Sequence, residues 1–263
     1  MKIGILGGGQ LARMLALAGH PLGCEFTVLD PSPEACAGAV AKHILGNYDD
    51  EEKLTELAKW SDVITYEFEN VPATSLSFLE ESVSIYPNPN ALAISRDRLK
   101  EKTLFKKLDI PTPRFAPVDS QEDLVEAAKN IGLPAVLKTR TLGYDGKGQT
   151  VLRGDDDVNT AWDELDRAPC ILEALVDFSR EVSVIAARGR SGETVFYPIS
   201  ENTHKEGILR YSFIQPGDRM QSTAQEYSKK ILEELDYTGV LALELFEAEG
   251  KLLANETATR VHN

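Results

Sequence analysis

The chain has 263 residues, of which 42% are hydrophobic and 27% charged, and its net charge is −14 at neutral pH. A chain of this size can bury several cores, so we expect a globular protein of two or more domains or lobes. The acidic balance disfavours nucleic acid as a partner, because phosphate contacts need a basic surface. No apolar run approaches the roughly 20 residues of a membrane span, and three cysteines without a C-x-x-C pair disfavour disulfides and zinc. We therefore expect a cytoplasmic protein.

The first predicted unit is a strand, a glycine turn and a helix. Residues 2–6 form an apolar run, and the turn that follows reads G-x-G-x-x-A from Gly7 to Ala12. With Asp30 at the end of the next predicted strand, this pattern satisfies the dinucleotide-binding fingerprint and indicates a dinucleotide-binding oxidoreductase. The alternative is a tight turn whose N–H groups simply cap the helix. The pattern predicts a Rossmann-like start and leaves the ligand open.

Two acidic residues fall at the end of a strand predicted over 63–69. Glu67 and Glu69 share one face by the strand period of two. They lie at the carboxyl edge, where open α/β sheets bind ligands. The alternative is a solvated strand end. The helix before this strand is predicted over 49–60, with Asp49 as its cap.

A run of alternating Pro and Asn at 87–90 breaks the pattern, and we place the first domain boundary there. Residues 1–90 then form a compact α/β domain. The next predicted element is one helix over 91–108, whose arginines and lysines are interpreted as mostly surface charge. A second helix, over 121–131, stops at a Gly-Leu-Pro sequence.

A glycine-rich segment then lies between two strands predicted over 135–137 and 149–152. Its side chains include Lys138, Arg140 and Lys147, so its cations and backbone N–H groups favour a polyanion such as a nucleoside triphosphate. It is not a Walker A loop, because it runs into another strand rather than a helix. The alternative is an ordinary glycine-rich hairpin with solvated lysines.

Oxygen ligands for a metal are predicted on the last hairpin, whose strands are 240–246 and 251–256. Elements predicted before it are a strand over 171–176, a hairpin of 180–187 with 193–198, and a helix over 224–235. A two-residue loop would pair Glu244 with Asn255, and a three-residue loop would pair it with Glu256. Either register suits magnesium, which one or two carboxylates hold together with substrate phosphates. The alternative is a pair of acids on a solvated strand face.

Four separated motifs, taken in this order, resemble the N5-carboxyaminoimidazole ribonucleotide synthetase family of ATP-grasp enzymes. They are the glycine turn at 7–11, the acidic segment at 65–71, the Gly-Tyr-Asp-Gly-Lys-Gly loop within 138–149, and the segment at 255–263. A dinucleotide-binding oxidoreductase would explain only the first 30 residues, whereas the resemblance covers the whole chain.

The resemblance implies a fold that is α/β and α+β. A Rossmann-like pre-ATP-grasp domain at 1–90 would precede a two-lobed ATP-grasp domain, with lobes at 91–175 and 176–263. It also implies homodimers and, as the reaction, ATP-driven carboxylation of 5-aminoimidazole ribonucleotide by bicarbonate through carboxyphosphate, in purine biosynthesis. ATP and Mg²⁺ would be required.

The resemblance also implies roles for individual residues. ATP contacts would come from Arg98, Lys138, Gly143, Tyr144, Asp145, Gly146, Lys147, Gly148, Gln149, Glu173, Ala174, Leu175, Val176, Glu181, His204, Asn255 and Glu256. The aminoimidazole nucleotide and bicarbonate would contact Gln10, Glu67, Tyr144, Asp145, Lys147, Arg260, His262 and Asn263. The catalytic candidates are Lys147, Arg260, His262 and Asn263, and the metal ligands are Glu244 and Glu256.

Two departures from the family pattern matter for the last motif. Thr259 stands where the family usually has proline, which we expect to loosen the loop that carries Arg260 and His262. Family members also continue beyond the position of Asn263 into a Ser-Gly-His segment and a further domain. We therefore expect a truncated polypeptide whose second lobe is incomplete at its C-terminal end.

Overall fold

The computed structural model describes residues 1–143, 147–205 and 208–262 of the chain. Within these ranges the strands form three separate sheets that follow one another along the sequence. The first sheet is parallel, and the other two are antiparallel. No helix in the described part of the chain is long and apolar enough to cross a membrane.

The first sheet has helices on both faces and the strand order β3-β2-β1-β4. Its elements are β1 (Lys2–Leu6), α1 (Gln10–Gly19), β2 (Glu25–Asp30), β3 (Lys42–Leu45), α2 (Glu51–Trp60), β4 (Val63–Tyr66) and α3 (Ala73–Glu80). Successive strand residues point to opposite faces. Ile5 therefore packs in one core with Ala12 and Ala16 of α1, whereas Leu6 packs in another with Leu54 of α2. This layout confirms the predicted Rossmann-like start.

The second sheet has the strand order β5-β8-β6-β7 and carries two helices. Its elements are β5 (Phe115–Val118), α6 (Gln121–Ile131), β6 (Ala135–Thr139), β7 (Gln149–Leu152), α7 (Asp155–Glu164) and β8 (Cys170–Ala174). Two further helices, α4 (Pro89–Ser95) and α5 (Arg98–Lys107), precede it in the chain. The core lies between sheet and helices, where Leu137 and Leu172 pack with Leu124 of α6 and Val158 of α7.

The third sheet has six strands and completes the fold. Its elements are β9 (Arg180–Arg188), β10 (Thr194–Phe196), β11 (Ser200–Lys205), β12 (Ile208–Ile214), α8 (Gln221–Glu234), β13 (Gly239–Ala248) and β14 (Lys251–Ala258). The order is β12-β11-β9-β13-β14, and β10 pairs with β9. Leu104 and Phe105 of α5 pack in the same core as Val184 and Leu243 of this sheet. The helix α5 thus covers the third sheet although it precedes the second.

The prediction of one helix over 91–108 is wrong. The structure has two helices there, because the Asp97 side chain accepts hydrogen bonds from the amides of Leu99 and Lys100 and so caps a new helix. The interpretation of this stretch as mostly surface charge is also wrong for Lys102, which is only 1% exposed. Its burial has consequences for the site described below.

The strand predicted over 63–69 ends early, at Tyr66. Its neighbour β1 ends at Leu6, which is the last residue paired with β4, so the sheet offers no partner beyond that point. Glu67 and Glu69 consequently lie in the turn after the strand, where side chains do not alternate between two faces as they do in a strand. The prediction that they share a strand face is therefore wrong.

Two smaller predictions also differ from the structure. The strand predicted over 171–176 ends at Ala174, and α2 is capped by Asp50 rather than Asp49. The cap moves by one residue because Asp50 is in extended conformation and its carboxylate reaches the amides of the first turn. The helix predicted over 121–131 is confirmed.

Candidate active site

A cleft of about 870 Å³ opens where residues from all three sheets meet. The predicted site residues that line it are Gln10, Glu67, Arg98, Lys138, Gly143, Lys147, Gln149, Leu175, Glu181, His204, Glu244, Asn255, Glu256, Arg260 and His262. Residues that lie far apart in the sequence thus converge on one space.

Four other predicted residues, Gly148, Glu173, Ala174 and Val176, are described by the structure but do not line the cleft. Gly148 sits at the base of the glycine-rich loop, where its carbonyl accepts a hydrogen bond of 2.8 Å from the Thr139 amide. Glu173 is buried, Ala174 ends β8, and Val176 follows it. Tyr144, Asp145, Gly146 and Asn263 lie outside the described residues, so their assignments stay predictions.

The amino-terminal glycine turn is closed by carboxylates of the protein itself. The Gly8 amide donates a hydrogen bond of 2.8 Å to the Asp30 carboxylate, which also accepts one from the Tyr48 hydroxyl. Glu67 accepts hydrogen bonds from the amides of Gly9 and Ala12 at the start of α1. A dinucleotide would need these same groups for its pyrophosphate and ribose. The arrangement favours the helix-capping interpretation, with Glu67 as the partner that sequence reasoning did not foresee.

A buried carboxylate holds two lysines beside the cleft. Glu173 Oε2 lies 3.2 Å from Lys138 Nζ and 3.3 Å from Lys102 Nζ. Burial alone would raise the pKa of Glu173, but the two ammonium groups outweigh it and hold that pKa below its ordinary value. Lys138 is the member of this trio that lines the cleft. Its cation is therefore both fixed in place and available to an anionic ligand.

Arg98 and Glu256 also line the cleft and form a partly buried ion pair, with Nη1 2.8 Å from Oε2. Burial opposes the charge on each group. The attraction between them prevails, so the pKa of Arg98 is raised and the pKa of Glu256 is lowered. Both groups are ionised at neutral pH.

The last hairpin combines the two-residue loop of one sequence alternative with the Glu244–Glu256 pairing of the other. Its loop has two residues, since Ala248 pairs with Lys251. Leu245 pairs with Ala254, but Glu244 pairs with Glu256, because a β-bulge lies between these two pairs. Asn255 is the extra residue of this bulge, and its Oδ1 is buried without a hydrogen-bond partner. Three oxygen-bearing side chains consequently meet at one place on β13 and β14.

These oxygens fit a magnesium ion that also uses substrate phosphates. Among the described residues, no group of three or more His, Cys, Asp or Glu side chains could hold a metal. Glu244 and Glu256 are two hard carboxylate ligands. The side-chain Oδ1 of Asn255, which has no hydrogen-bond partner, is a third oxygen of the kind that magnesium prefers. A site with so few protein ligands is completed by phosphates and water.

The segment after β14 brings two cationic or titratable side chains to the cleft. Arg260 Nε lies 3.2 Å from Glu69 Oε1, and His262 Nε2 lies 3.1 Å from Glu244 Oε1. Burial raises the pKa of Glu69 more than Arg260 lowers it. Thr259, expected to loosen this segment, is fully buried and shares a hydrogen bond of 2.9 Å with Ser95. That contact ties the segment to α4.

Sequence reasoning missed two groups of residues at this site. The apolar wall of the cleft, which includes Val136, Val151 and Phe246, was not identified, because apolar strand residues look like core. Lys102 was interpreted as surface charge, and Glu101 was not identified. Their positions three and four residues after Arg98 place all three on one helix face, and this spacing was the available signal.

Family models match both parts of the chain. Residues 103–263 match the ATP-grasp domain, and residues 1–96 match the ribonucleotide synthetase preATP-grasp domain. Together with a cationic and acidic cleft between lobes, these matches define an ATP-grasp enzyme and confirm the predicted fold class.

Individual relatives narrow the class further. The chain is 57% identical over 263 residues to N5-carboxyaminoimidazole ribonucleotide synthase of Pseudomonas aeruginosa, covering 100% of this chain and 73% of the relative. The crystal structure of N5-carboxyaminoimidazole ribonucleotide synthetase from Thermus thermophilus superposes with a TM-score of 0.94 at 50% identity, covering 99% of this chain and 71% of that one. The chain belongs to the N5-carboxyaminoimidazole ribonucleotide synthase family.

A third related structure contains bound ligands. The structure of N5-carboxyaminoimidazole synthase from Aspergillus clavatus, in complex with ADP and 5-aminoimidazole ribonucleotide, has a TM-score of 0.91 at 27% identity and covers 100% of this chain and 70% of that one. Both ligands are those of that relative.

Proposed function

We propose that this chain catalyses the ATP-dependent carboxylation of 5-aminoimidazole ribonucleotide by bicarbonate, giving N5-carboxyaminoimidazole ribonucleotide, ADP and phosphate in purine biosynthesis. The observation that carries the proposal is the single cleft in which Lys138 and Arg98 lie with the facing pair Glu244 and Glu256. Cations for a triphosphate and carboxylates for its metal are thus combined, as phosphoryl transfer requires.

ATP would lie along the cleft between the two lobes. The apolar residues Val136, Val151 and Phe246 suit a nucleobase, and Phe246 is held by a stacked contact with Phe178 at 4.8 Å between ring centroids. The phosphates would meet Lys138. Because phosphoryl transfer depends on positioning and charge neutralisation more than on covalent catalysis, a fixed ammonium group is the contribution that the protein needs to make.

We infer that Glu244, Glu256 and the Asn255 carbonyl hold magnesium together with the phosphates. When bound, the ion supplies neutralisation of the triphosphate charge and orients the γ-phosphoryl group. Glu256 would share its negative charge between Arg98 and the ion, which would leave Arg98 donors available to a phosphate oxygen. The ion pair keeps the partly buried Glu256 carboxylate ionised, which is the form that a metal ligand requires.

Bicarbonate would meet Arg260, whose planar guanidinium matches a small oxyanion. An oxygen of bicarbonate attacks the γ-phosphorus and ADP leaves, which gives carboxyphosphate. The amine of the aminoimidazole nucleotide then attacks the carboxyl carbon, the C–O bond to phosphate breaks, and the amine loses a proton. Gln10, Lys147 and His262 line the same cleft and are proposed to contact the acceptor.

The proposal is tested by phosphate release from ATP with bicarbonate and 5-aminoimidazole ribonucleotide, each omitted in turn. We expect phosphate to depend on all three compounds, and we expect Lys138→Met to lower phosphate release strongly by weakening the hold on the triphosphate. Phosphate release that is indifferent to the aminoimidazole nucleotide would contradict the assignment of the acceptor. Release that is indifferent to bicarbonate would contradict carboxyphosphate.

We also infer a homodimer in the cytoplasm, as the resemblance implies. The edge strand β12 supports a subunit contact, since Tyr211, Phe213 and Ile214 are each more than half exposed there and exposed apolar patches mark interaction sites. Three unpaired cysteines suit a reducing compartment. Light scattering at several concentrations tests the dimer, and a monomer mass at all of them would contradict it.

The division of the chain into 1–90, 91–175 and 176–263 stays a prediction. It is supported by the order of the sheets along the chain. The packing of α5 against the third sheet instead associates residues 98–107 with the second lobe. Limited proteolysis followed by mass determination of the stable fragments would decide where the boundaries fall.

A further inference from the structure

One face of α5 carries charged side chains into the protein interior. Arg98, Glu101 and Lys102 share this face, and Glu101 and Lys102 are both buried. Burying a charge is costly unless it is paired and hydrogen-bonded. Neither Glu101 nor Lys102 has a place in the reaction described above, so their burial calls for another explanation.

Three contacts from this face reach the strand that carries the proposed metal ligands. Glu101 Oε1 accepts hydrogen bonds of 2.7 Å from the Thr257 amide and 2.5 Å from its hydroxyl. Lys102 Nζ donates one of 3.2 Å to the Ala254 carbonyl. Arg98 binds Glu256 at 2.8 Å. The contacted residues flank Asn255, which is the extra residue of the β-bulge.

The same face also reaches the second sheet. Lys102 Nζ lies 3.3 Å from Glu173 Oε2, the oxygen that also holds Lys138. The Arg98 amide donates a hydrogen bond of 3.0 Å to the Arg140 carbonyl, just beyond β6. A short segment of one helix is thus bonded both to the strand with the metal ligands and to the sheet with the phosphate-binding lysine.

The bulge depends on these contacts. A regular two-residue hairpin would place Asn255 opposite Glu244 and turn Glu256 to the other face. β14 is the edge strand of its sheet, and the Thr257 amide, just past the bulge, donates to Glu101 of α5. The anchored segment 254–257 therefore sets which side chain faces Glu244.

We propose that Glu101 and Lys102 are positioning residues that fix the β14 bulge and the Lys138 ammonium relative to each other, and so couple the metal and phosphate subsites across the two lobes. The inference rests on the proposed function only for the identity of those subsites. Glu101 acts on the metal side, and Lys102 acts mainly on the phosphate side by sharing Glu173 with Lys138.

The first test uses Lys102→Met, with Lys107→Met as the matched control. Lys107 is on the same helix and its side chain is 65% exposed. Without the Lys102 ammonium, Glu173 has Lys138 as its remaining lysine partner in the trio and draws it away from the phosphates. We expect the Kd of ADP with magnesium, measured by calorimetry on folded protein, to rise about tenfold, as for other outer-shell changes, and the control to match the parent.

The second test uses Glu101→Gln and Glu101→Leu. Glutamine keeps the oxygen that accepts from the Thr257 amide, whereas leucine does not. We expect Glu101→Leu to raise the magnesium concentration for half-maximal ADP binding about tenfold, and Glu101→Gln to restore it nearly to the parent value. A purely structural role would lower the melting temperature without changing the magnesium requirement.

The outcomes separate this inference from the proposed function. Since ADP and magnesium binding needs no carboxylation, the comparison remains valid if phosphate release never depends on the aminoimidazole nucleotide. Folded Lys102→Met with parental ADP affinity would overturn the role of Lys102. Where Lys102→Met fails to fold, the two Glu101 variants decide, and equal magnesium requirements for leucine and glutamine would overturn the coupling.

Discussion

Glu256 shows how one side chain can be prepared for a ligand before the ligand binds. It is kept ionised by Arg98 although it is partly buried, and the bulge turns it toward Glu244. Its neighbour Asn255 leaves a buried carbonyl oxygen unpaired, which is costly for the fold alone. The cost is explained if a magnesium ion completes the group.

A charge-removing change at Glu256 tests this explanation. Glu256→Gln keeps the shape of the side chain and removes its charge, so we expect the magnesium concentration for half-maximal phosphate release to rise by about tenfold or more. Glu126→Gln, on the exposed face of α6, is the control and should behave as the parent. Equal turnover of parent and Glu256→Gln at limiting magnesium would show that Glu256 is not a ligand.

The raised pKa of Glu101 predicts how the stability of the protein depends on pH. Burial raises the pKa of this carboxyl to about 8, more than the Thr257 hydrogen bonds and Lys102 lower it. A group whose pKa is raised on folding stabilises the protein fully below its ordinary pKa, and loses that contribution as the pH rises through the folded value. The stability contributed by Glu101 should therefore decline between about pH 5 and pH 8.

The variant Glu101→Gln isolates this effect because glutamine does not titrate. We expect the melting temperature of the parent, relative to that of the variant, to fall as the pH is raised from 5 to 8. Thermal unfolding at pH 5, 6.5 and 8 measures it. Parallel melting curves across that range would mean that Glu101 has no raised pKa in the folded protein.

At the level of the elements, the hairpin of β6 and β7 shows why its glycine-rich loop requires glycine at position 148. Gly148 has a φ of +71°, and a Cβ at this position would lie 2.7 Å from Thr139 Oγ1. Gly132, after α6, has a φ of +85° with nothing within 4 Å. The two glycines share a left-handed backbone and differ in the space around them, so they form a matched pair.

We expect Gly148→Ala to lose about 1 kcal/mol or more of stability from backbone strain, with further loss from the Thr139 contact. It should also weaken the protection that ATP gives against heat, because the loop base lies next to Lys147 at the cleft. Gly132→Ala should lose stability alone. Comparable ATP protection in both variants, measured by thermal shift, would contradict a role for the loop in binding nucleotide.

How far the sequence predicts each element depends on the range of the forces involved. The last hairpin and the helix α6 follow from local turn and capping chemistry, and both were predicted. The β14 bulge was not predicted from local signals, and the residue next to it, Thr257, is bound by Glu101, which lies 156 residues away in the sequence. Lys102 was misread for the same reason, since its partner Glu173 belongs to another sheet.

For the molecule as a whole, the three sheets place separately predicted motifs around one cleft. Sequence reasoning found about half of the residues that line it. Glycine loops and paired acids have local signatures, and the family resemblance supplied the others. Sequence reasoning did not find how they are held, since the Glu67 cap of α1 and the Arg260 contact with Glu69 join different parts of the chain. The Glu67 cap of α1 also decides against the dinucleotide-binding alternative.

The dinucleotide-binding alternative and the ligase assignment predict different ligands. The amides of Gly9 and Ala12 are already bound by Glu67, so we expect no heat from NAD and saturable heat from ATP with magnesium. Calorimetric titration of the same sample with both ligands is the measurement. Tight NAD binding without any ATP heat would contradict the ligase assignment.

The central claim is that bicarbonate is activated by phosphoryl transfer in this cleft. It is tested most directly with bicarbonate labelled with ¹⁸O, ATP, magnesium and 5-aminoimidazole ribonucleotide, by mass analysis of the phosphate formed before label exchanges with water. Because a bicarbonate oxygen bonds to the γ-phosphorus and stays with it when the C–O bond breaks, each phosphate should carry one ¹⁸O atom. Phosphate that carries no label would mean that water attacks ATP, and the account would be contradicted.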